Sequence, residues 1–294
     1  MRLSRNALLG VVVIGFVAAL VDAPCAWAQT TAAPVVSDVV VDGNYTWNLP
    51  PDVSRHGHRI DQLIHVTHWF MAVLFFGWGA FFVYCLAKFR RRAGHRAEYQ
   101  PVKAKISKYG ELGVAGFEAV LLLVFSVPIW ASVKNDLPDA NKEHIRVRVL
   151  AEQFAWNFHY PGPDGIFGKT ASHLVDTALN PMGLDKDNDP AAKDDIVSGE
   201  FRIPVETPII CDIMSKDVIH SFFLPVMRVK QDAIPGMRVP VWFEAVKTGN
   251  YEVACAQLCG NNHYSMRALM VIEPREAFDA WLVEKGKPPV EFEE

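Results

Sequence analysis

The stretch Tyr251–Glu273, YEVACAQLCGNNHYSMRALMVIE, begins and ends as β-strand and concentrates its chemistry in the loop between. YEVACA and ALMVIE alternate apolar and polar residues with period two, the pattern of half-buried strands. Between them, Cys255, Cys259, His263 and Met266 fall within twelve positions. Thiolate and thioether are soft enough to hold Cu(I), and imidazole suits both copper oxidation states. One thiolate, one imidazole and a weak thioether make the single-copper electron-transfer pattern. A second thiolate on the same loop can bridge two coppers, each then needing an imidazole, so a distant histidine must supply the second. The competing reading is a Cys255–Cys259 disulfide, because thiols in oxidising compartments tend to pair. That reading leaves His263 and Met266 unexplained.

Moving outward, HIRVRVL, FAWNFHY, EFRIPVETPIICDIM and RVPVWFEA repeat the alternation, separated by turns such as PGPDG and KTGN. Several short strands at this spacing predict a sandwich or barrel from residue 134 onward. PREAFDAWLVEKG, with Pro274 at the first helical position, Phe278, Trp281 and Leu282 on one face and Gly286 at its end, predicts a C-terminal helix. Residues 164–200 do not alternate. Their DKDNDPAAKDD opens like a calcium loop but lacks the sixth-position glycine and the twelfth-position glutamate, so a solvated loop is expected. Candidates for the second imidazole are His144, His159, His173 and His220. His220 is favoured because it sits between strand-like runs, where a side chain could reach a neighbouring loop.

The N-terminal part has a different character. Residues 1–28 have the basic start (Arg2, Arg5), apolar centre and Ala26-Trp27-Ala28 site of a signal peptide cleaved before Gln29, which would remove Cys25. A segment over 29–60 leads to two apolar runs, Val66–Ala87 and Leu112–Val133, each about the twenty residues a helix needs to cross a bilayer. The intervening KFRRRAGHRAEYQPVKAKISKYG carries eight Lys or Arg against one Glu, so it is expected in the cytoplasm. The hairpin over 61–133 then leaves residues 134–294 outside, in the periplasm of a bacterium. His68 and Glu118 are ionisable groups within the spans. Such groups face protein or water rather than lipid; both suit contact with a partner subunit, and Glu118 is a candidate proton-route residue. The formal net charge of −4 argues against a polybasic nucleic-acid binder. Cys85 and Cys211 read as small apolar packing residues.

DVIHSFFLP, KQDAIPGM and CAQLCGNNHYSM, behind a two-helix hairpin, resemble subunit II of the haem-copper cytochrome c oxidases. The resemblance covers nearly all of the mature chain. It implies a membrane α-helical hairpin followed by an all-β, cupredoxin-like Greek-key barrel with a C-terminal helix. It also implies a dinuclear copper A centre held by His220, Cys255, the backbone carbonyl of Gln257, Cys259, His263 and Met266. Such a subunit takes electrons from a c-type cytochrome and passes them to haem in subunit I, where oxygen is reduced; subunit III and membrane lipid are further partners. Phe154 and Trp156 stand where the family admits electrons, and Asp217 and Asp232 match acidic docking positions.

The chain departs from the family at three places. Gln257 replaces a glutamate whose side chain reaches a magnesium at the subunit I boundary. Gln offers an oxygen without charge, and Mg²⁺ favours carboxylates. Phe154 replaces the tryptophan of electron input. His159 and Gln257 replace acidic positions, which implies either weaker steering of a basic cytochrome or a donor held permanently nearby. No C-x-x-C-H is present, so no c-type haem is expected in this chain. The rivals are a copper-free quinol oxidase subunit, which would lack the cysteine pair, a membrane-tethered copper carrier, which would need an exchangeable site, and nitrous oxide reductase, which would need a histidine-rich catalytic domain that ten scattered histidines cannot supply.

Overall fold

Alternation in the sequence becomes two sheets in space. The structure is a computed structural model that describes residues 49–94, 96, 99, 105–134, 137–138 and 143–287. The signal peptide expected over 1–28 lies outside the described residues, as does part of the basic loop. The described strands are β1 (Ile145–Glu152), β2 (Ala155–Tyr160), β3 (Ile196–Ser198), β4 (Phe201–Pro204), β5 (Pro208–Ser215), β6 (His220–Leu224), β7 (Val229–Ala233), β8 (Val239–Glu244), β9 (Gly249–Cys255) and β10 (Arg267–Glu273). They form one sheet in the order β3-β2-β1-β5-β8 and another in the order β4-β10-β9-β6-β7. The chain crosses repeatedly between the sheets, giving the cupredoxin-like barrel.

Inward side chains alternate along β1, β5 and β10, the pattern of period-two geometry. Val147, Val149 and Ala151 of β1, Ile209, Cys211 and Ile213 of β5, and Met270 and Ile272 of β10 are buried. Aromatic rings fill the centre: Phe158 stacks on Phe201 at 4.8 Å, and Phe222 meets Phe201 at 5.8 Å and Trp156 at 5.6 Å. The Tyr160 hydroxyl, buried with them, donates to the Arg202 carbonyl and accepts the Arg202 N–H, so it leaves no polar cost. Helix α4 (Arg275–Lys285) buries Phe278 and Trp281 against Tyr160; Pro274 is its N-cap rather than its first helical residue.

Among the described residues, two helices are long and apolar enough to cross a membrane. The first, α1 (Gly57–Lys88), begins nine residues before the apolar run Val66–Ala87, so the expected boundary at residue 60 falls inside a helix. The second is α2 (Lys105–Val120) and α3 (Val127–Lys134), joined by one π-helical stretch, Leu121–Ser126. Pro128 supplies a reason: it has no N–H for the helical ladder, and the wider turn before it re-registers the bonds. The Ser126 hydroxyl donates to the Leu121 carbonyl at the start of that stretch, 3.1 Å away. Phe70 and Phe117 meet at 4.4 Å between the helices, whose outer faces expose rows of large apolar side chains.

Three sequence expectations need correcting. EFRIPVETPIICDIM is two strands, because Glu206 takes a left-handed backbone (φ 56°) that turns β4 in one sheet into β5 in the other. DVIHSFFLPVMRVKQDAIPGM holds β6 and β7, and His220 is the first residue of β6 rather than a residue between strands. The stretch 164–200 is not simply solvated. Met182, Leu184 and Ala192 pack onto the outward side chains Leu150, Val197 and Met214 of the first sheet. Its carboxylates do not converge on a cation site: Asp185 accepts from Asn188, Asp189 from the Lys169 N–H, and Asp195 from the Gly168 N–H.

This insertion explains His159. The ring is fully buried, 2.7 Å from Asp195 and edge-on to Phe167, so it cannot stand on a docking face. Burial pushes its pKa below the ordinary 6.5, outweighing the opposite pull of Asp195. As pH falls through about 6.5 the unfolded chain takes up this proton before the folded one, so stability is full above that pH and lost progressively below it. Denaturant unfolding at pH 7.5 and pH 5.5 is expected to show the loss, and His159→Gln to flatten it.

Candidate metal centre

Two strand ends and one loop converge on a group of soft donors. Cys255 closes β9, and the loop to β10 carries Cys259, His263 and Met266, with a 3₁₀ turn over His263–Ser265. His220 enters from the second neighbour, β6, which pairs with β9 through Phe222 opposite Cys255. The Ala256 N–H donates to the Ser221 carbonyl at 3.0 Å, fastening the loop to the strand that bears His220.

The two sulfurs of Cys255 and Cys259 are 3.9 Å apart, and both cysteines are free thiols. Cys255 Sγ lies 4.0 Å from His220 Nδ1 and 3.2 Å from the Gln257 carbonyl oxygen. Cys259 Sγ lies 3.6 Å from His263 Nδ1 and 3.7 Å from Met266 Sδ. Two donors each about 2.0–2.3 Å from one ion, at a tetrahedral angle, would be about 3.3–3.8 Å apart. The residues present therefore fit a metal, with an imidazole beside each thiol. His220, Cys259 and Met266 are buried, His263 and Cys255 half-buried. Burial, with Cys255 next to it, pushes the Cys259 thiol up to about 12. Metal binding must expel that proton, so loading weakens as pH falls.

The imidazole of His220 is oriented from behind. Its Nε2–H donates to Asp217 Oδ1 at 2.8 Å, leaving Nδ1 to face the sulfurs. Burial alone would raise the Asp217 carboxyl, but hydrogen bonds from His220 and from the N–H groups of Gln153 and Val218 outweigh it and hold it below the usual carboxylate range. Removing it by Asp217→Ala is expected to lower copper affinity about 10–100-fold, the usual effect of losing a partner behind a metal ligand. Competition against a chelator of known affinity measures this.

Gln153 is the residue that sequence reasoning missed. Its N–H reaches Asp217, and its side-chain amide donates to the Cys259 carbonyl at 2.6 Å, so one residue in the β1–β2 turn grips both sides of the donor group. Gly260 lies against it with φ +139°, and a Cβ there would fall 2.9 Å from both the Gln153 amide and the Phe154 ring. The half-buried Phe154 thus touches the residue after Cys259. Trp156 is deeper, 6.3 Å from the His220 ring and 5.6 Å from Phe222, within the aromatic core. Nothing in the sequence marks Gln153; the glycine directly after a cysteine is the one available signal.

Other expected residues lie elsewhere or serve another purpose. Asp232 is exposed, and its carboxylate accepts from the Ser221 hydroxyl at 2.7 Å. The Gln257 side chain is exposed, while its carbonyl faces the sulfurs. Glu118 lies on α2 and His68 on α1, away from the cluster. His144 precedes β1, and His173 sits in a 3₁₀ turn of the insertion.

Comparison with known proteins points one way. Residues 145–273 match the family described as Cytochrome C oxidase subunit II, periplasmic domain. An alternative cytochrome c oxidase subunit 2 from Bradyrhizobium diazoefficiens is 32% identical over 238 residues, covering 80% of this chain and 83% of that protein. Cytochrome c oxidase subunit 2 from Synechocystis is 26% identical over 262 residues, covering 83% of this chain and 77% of the relative. The crystal structure of the periplasmic domain of cytochrome oxidase subunit II (CoxB) from Bradyrhizobium japonicum is 28% identical, with a TM-score of 0.37 over 50% of this chain and 96% of that one.

Proposed function

Because the chain belongs to the cytochrome c oxidase subunit II family, we propose that it is the electron-input subunit of a respiratory oxidase and that His220, Cys255, Cys259, His263, Met266 and the Gln257 carbonyl hold a dinuclear copper A centre. The observation that carries this is the pairing of two free thiols 3.9 Å apart, each with its own imidazole nitrogen within 4.0 Å. When bound, the two coppers would supply a one-electron relay between a c-type cytochrome and haem in subunit I. The chain's own residues keep that site stiff. Asp217 fixes the tautomer and direction of His220, Gln153 pins the Cys259 carbonyl, and the aromatic core backs the imidazole. Burial of Met266 and Cys259 keeps water from the sulfurs and opposes the ready metal exchange a carrier needs. The exposed Gln257 amide offers one uncharged oxygen, so tight magnesium binding through this side chain is not part of the proposal.

Copper titration of the purified chain tests the reading. Saturation at two coppers per chain with intense visible absorption supports it; a colourless chain that retains no copper refutes it.

Steering of a basic cytochrome is expected to be weak. Asp217 is committed to three hydrogen bonds, His159 is buried, and Gln257 is neutral. Salt screens long-range attraction, so the rate with a soluble basic cytochrome c is expected to fall only shallowly between low and physiological ionic strength. A steep fall would show that carboxylates elsewhere on the surface do the steering.

A further inference from the structure

The β6–β7 hairpin carries His220 at one end and turns at the other through Pro225–Arg228. Arg228 holds a left-handed backbone (φ 56°) that glycine would adopt without steric cost, yet the residue here is arginine. Its side chain is nearly buried, at 7% exposure, and four of its five guanidinium N–H groups have partners. Nε and Nη2 make a bidentate pair with Asp61 Oδ1 and Oδ2 at 2.6 and 2.8 Å. Nη1 donates to the Pro225 carbonyl and Nη2 also to the Pro50 carbonyl, both at 2.6 Å. Asp61 is in the second turn of α1, so the pair joins the hairpin bearing a copper ligand to the start of a membrane helix.

Neighbouring contacts close the same joint. The strap before α1 is bonded on both sides, from the Val53 N–H to the Val226 carbonyl at 3.0 Å and from the Val246 N–H to the Val53 carbonyl at 2.8 Å. Arg55 pairs with Glu244 at the end of β8. From the other helix, Lys134 reaches Gln231 of β7 at 2.6 Å. These are single or main-chain contacts. Only a planar fork on a carboxylate fixes both distance and direction, and lysine cannot reproduce it. Five consecutive residue pairs from His220–Ala233 to Leu224–Val229 make the hairpin a short stiff arm between the joint and the centre.

We propose that the Arg228–Asp61 pair is a positioning device: it sets where the His220 hairpin stands over the membrane helices, and so the separation across which an electron leaves for the haem of subunit I. This rests on the electron-input reading above. The test uses the assembled oxidase in its membrane, with Arg228→Lys, which keeps the charge but loses the fork, and Asp61→Asn, which keeps the shape but loses the charge. Flash reduction of the centre is followed by the rate of haem reduction. Both variants are expected to slow that one-electron step about tenfold, the kind of loss a small misplacement produces, with the copper spectrum and its potential unchanged. An unchanged rate in both, or loss of assembled enzyme in both, would overturn the proposal and leave the pair a purely structural contact. A wild-type enzyme without a copper signal would instead overturn the electron-input reading, and this proposal with it.

Discussion

Replacing Cys259 by serine is expected to lower electron input from the donor cytochrome by about two orders of magnitude or more, since even a lost partner behind a metal ligand costs about 10–100-fold. Cys259 is the hub of the donor group: its sulfur lies within 4 Å of Cys255, His263 and Met266 at once. A serine hydroxyl is hard, poorly ionised and a weak partner for Cu(I). The backbone need not move, because Gln153 still holds the carbonyl of residue 259. The folded domain should therefore survive while the shared centre does not. Oxygen uptake with the donor, read beside copper content and far-ultraviolet circular dichroism, separates loss of the centre from loss of the fold.

The largest stability effect is expected at Phe222. Its ring is fully buried among Trp156, Phe158 and Phe201, and its strand pairing places it opposite Cys255. Phe222→Ala removes the contacts of that ring and leaves a cavity, a change that costs about 3–5 kcal/mol in well-packed cores. Against a total stability of about 5–15 kcal/mol, that is enough to unfold a marginal domain. Phe222→Leu fills more of the space and should cost less. Denaturant midpoints for both variants check the order, and copper loss should follow the alanine variant because Trp156 and His220 rest on the same cluster.

The sequence made the strands legible where one face is buried and the other is not. β1, with Val147, Val149 and Ala151 inward and Arg146 and Arg148 outward, is readable by eye. β6 was not, because His220, Ser221, Phe222 and Leu224 are all buried, which erases the alternation. The donor group on the loop was legible because Cys255, Cys259, His263 and Met266 lie within one short segment. Its supports were not: Gln153 lies 106 residues from its partner Cys259. The burial of His159 depends on an insertion folding back over the sheet, and neither relation leaves a local pattern. Asp217 stands out in the sequence only for its charge, whereas in the fold its carboxylate accepts from His220 and is itself held by the Gln153 and Val218 N–H groups.

Electron spin resonance on the chain taken from its own membrane, with thiols trapped and copper counted at the same time, addresses the matter most directly. One unpaired electron spread equally over two copper nuclei, at two coppers per chain, is the predicted outcome. A chain free of copper, with the sulfurs of Cys255 and Cys259 bonded to each other, would contradict it.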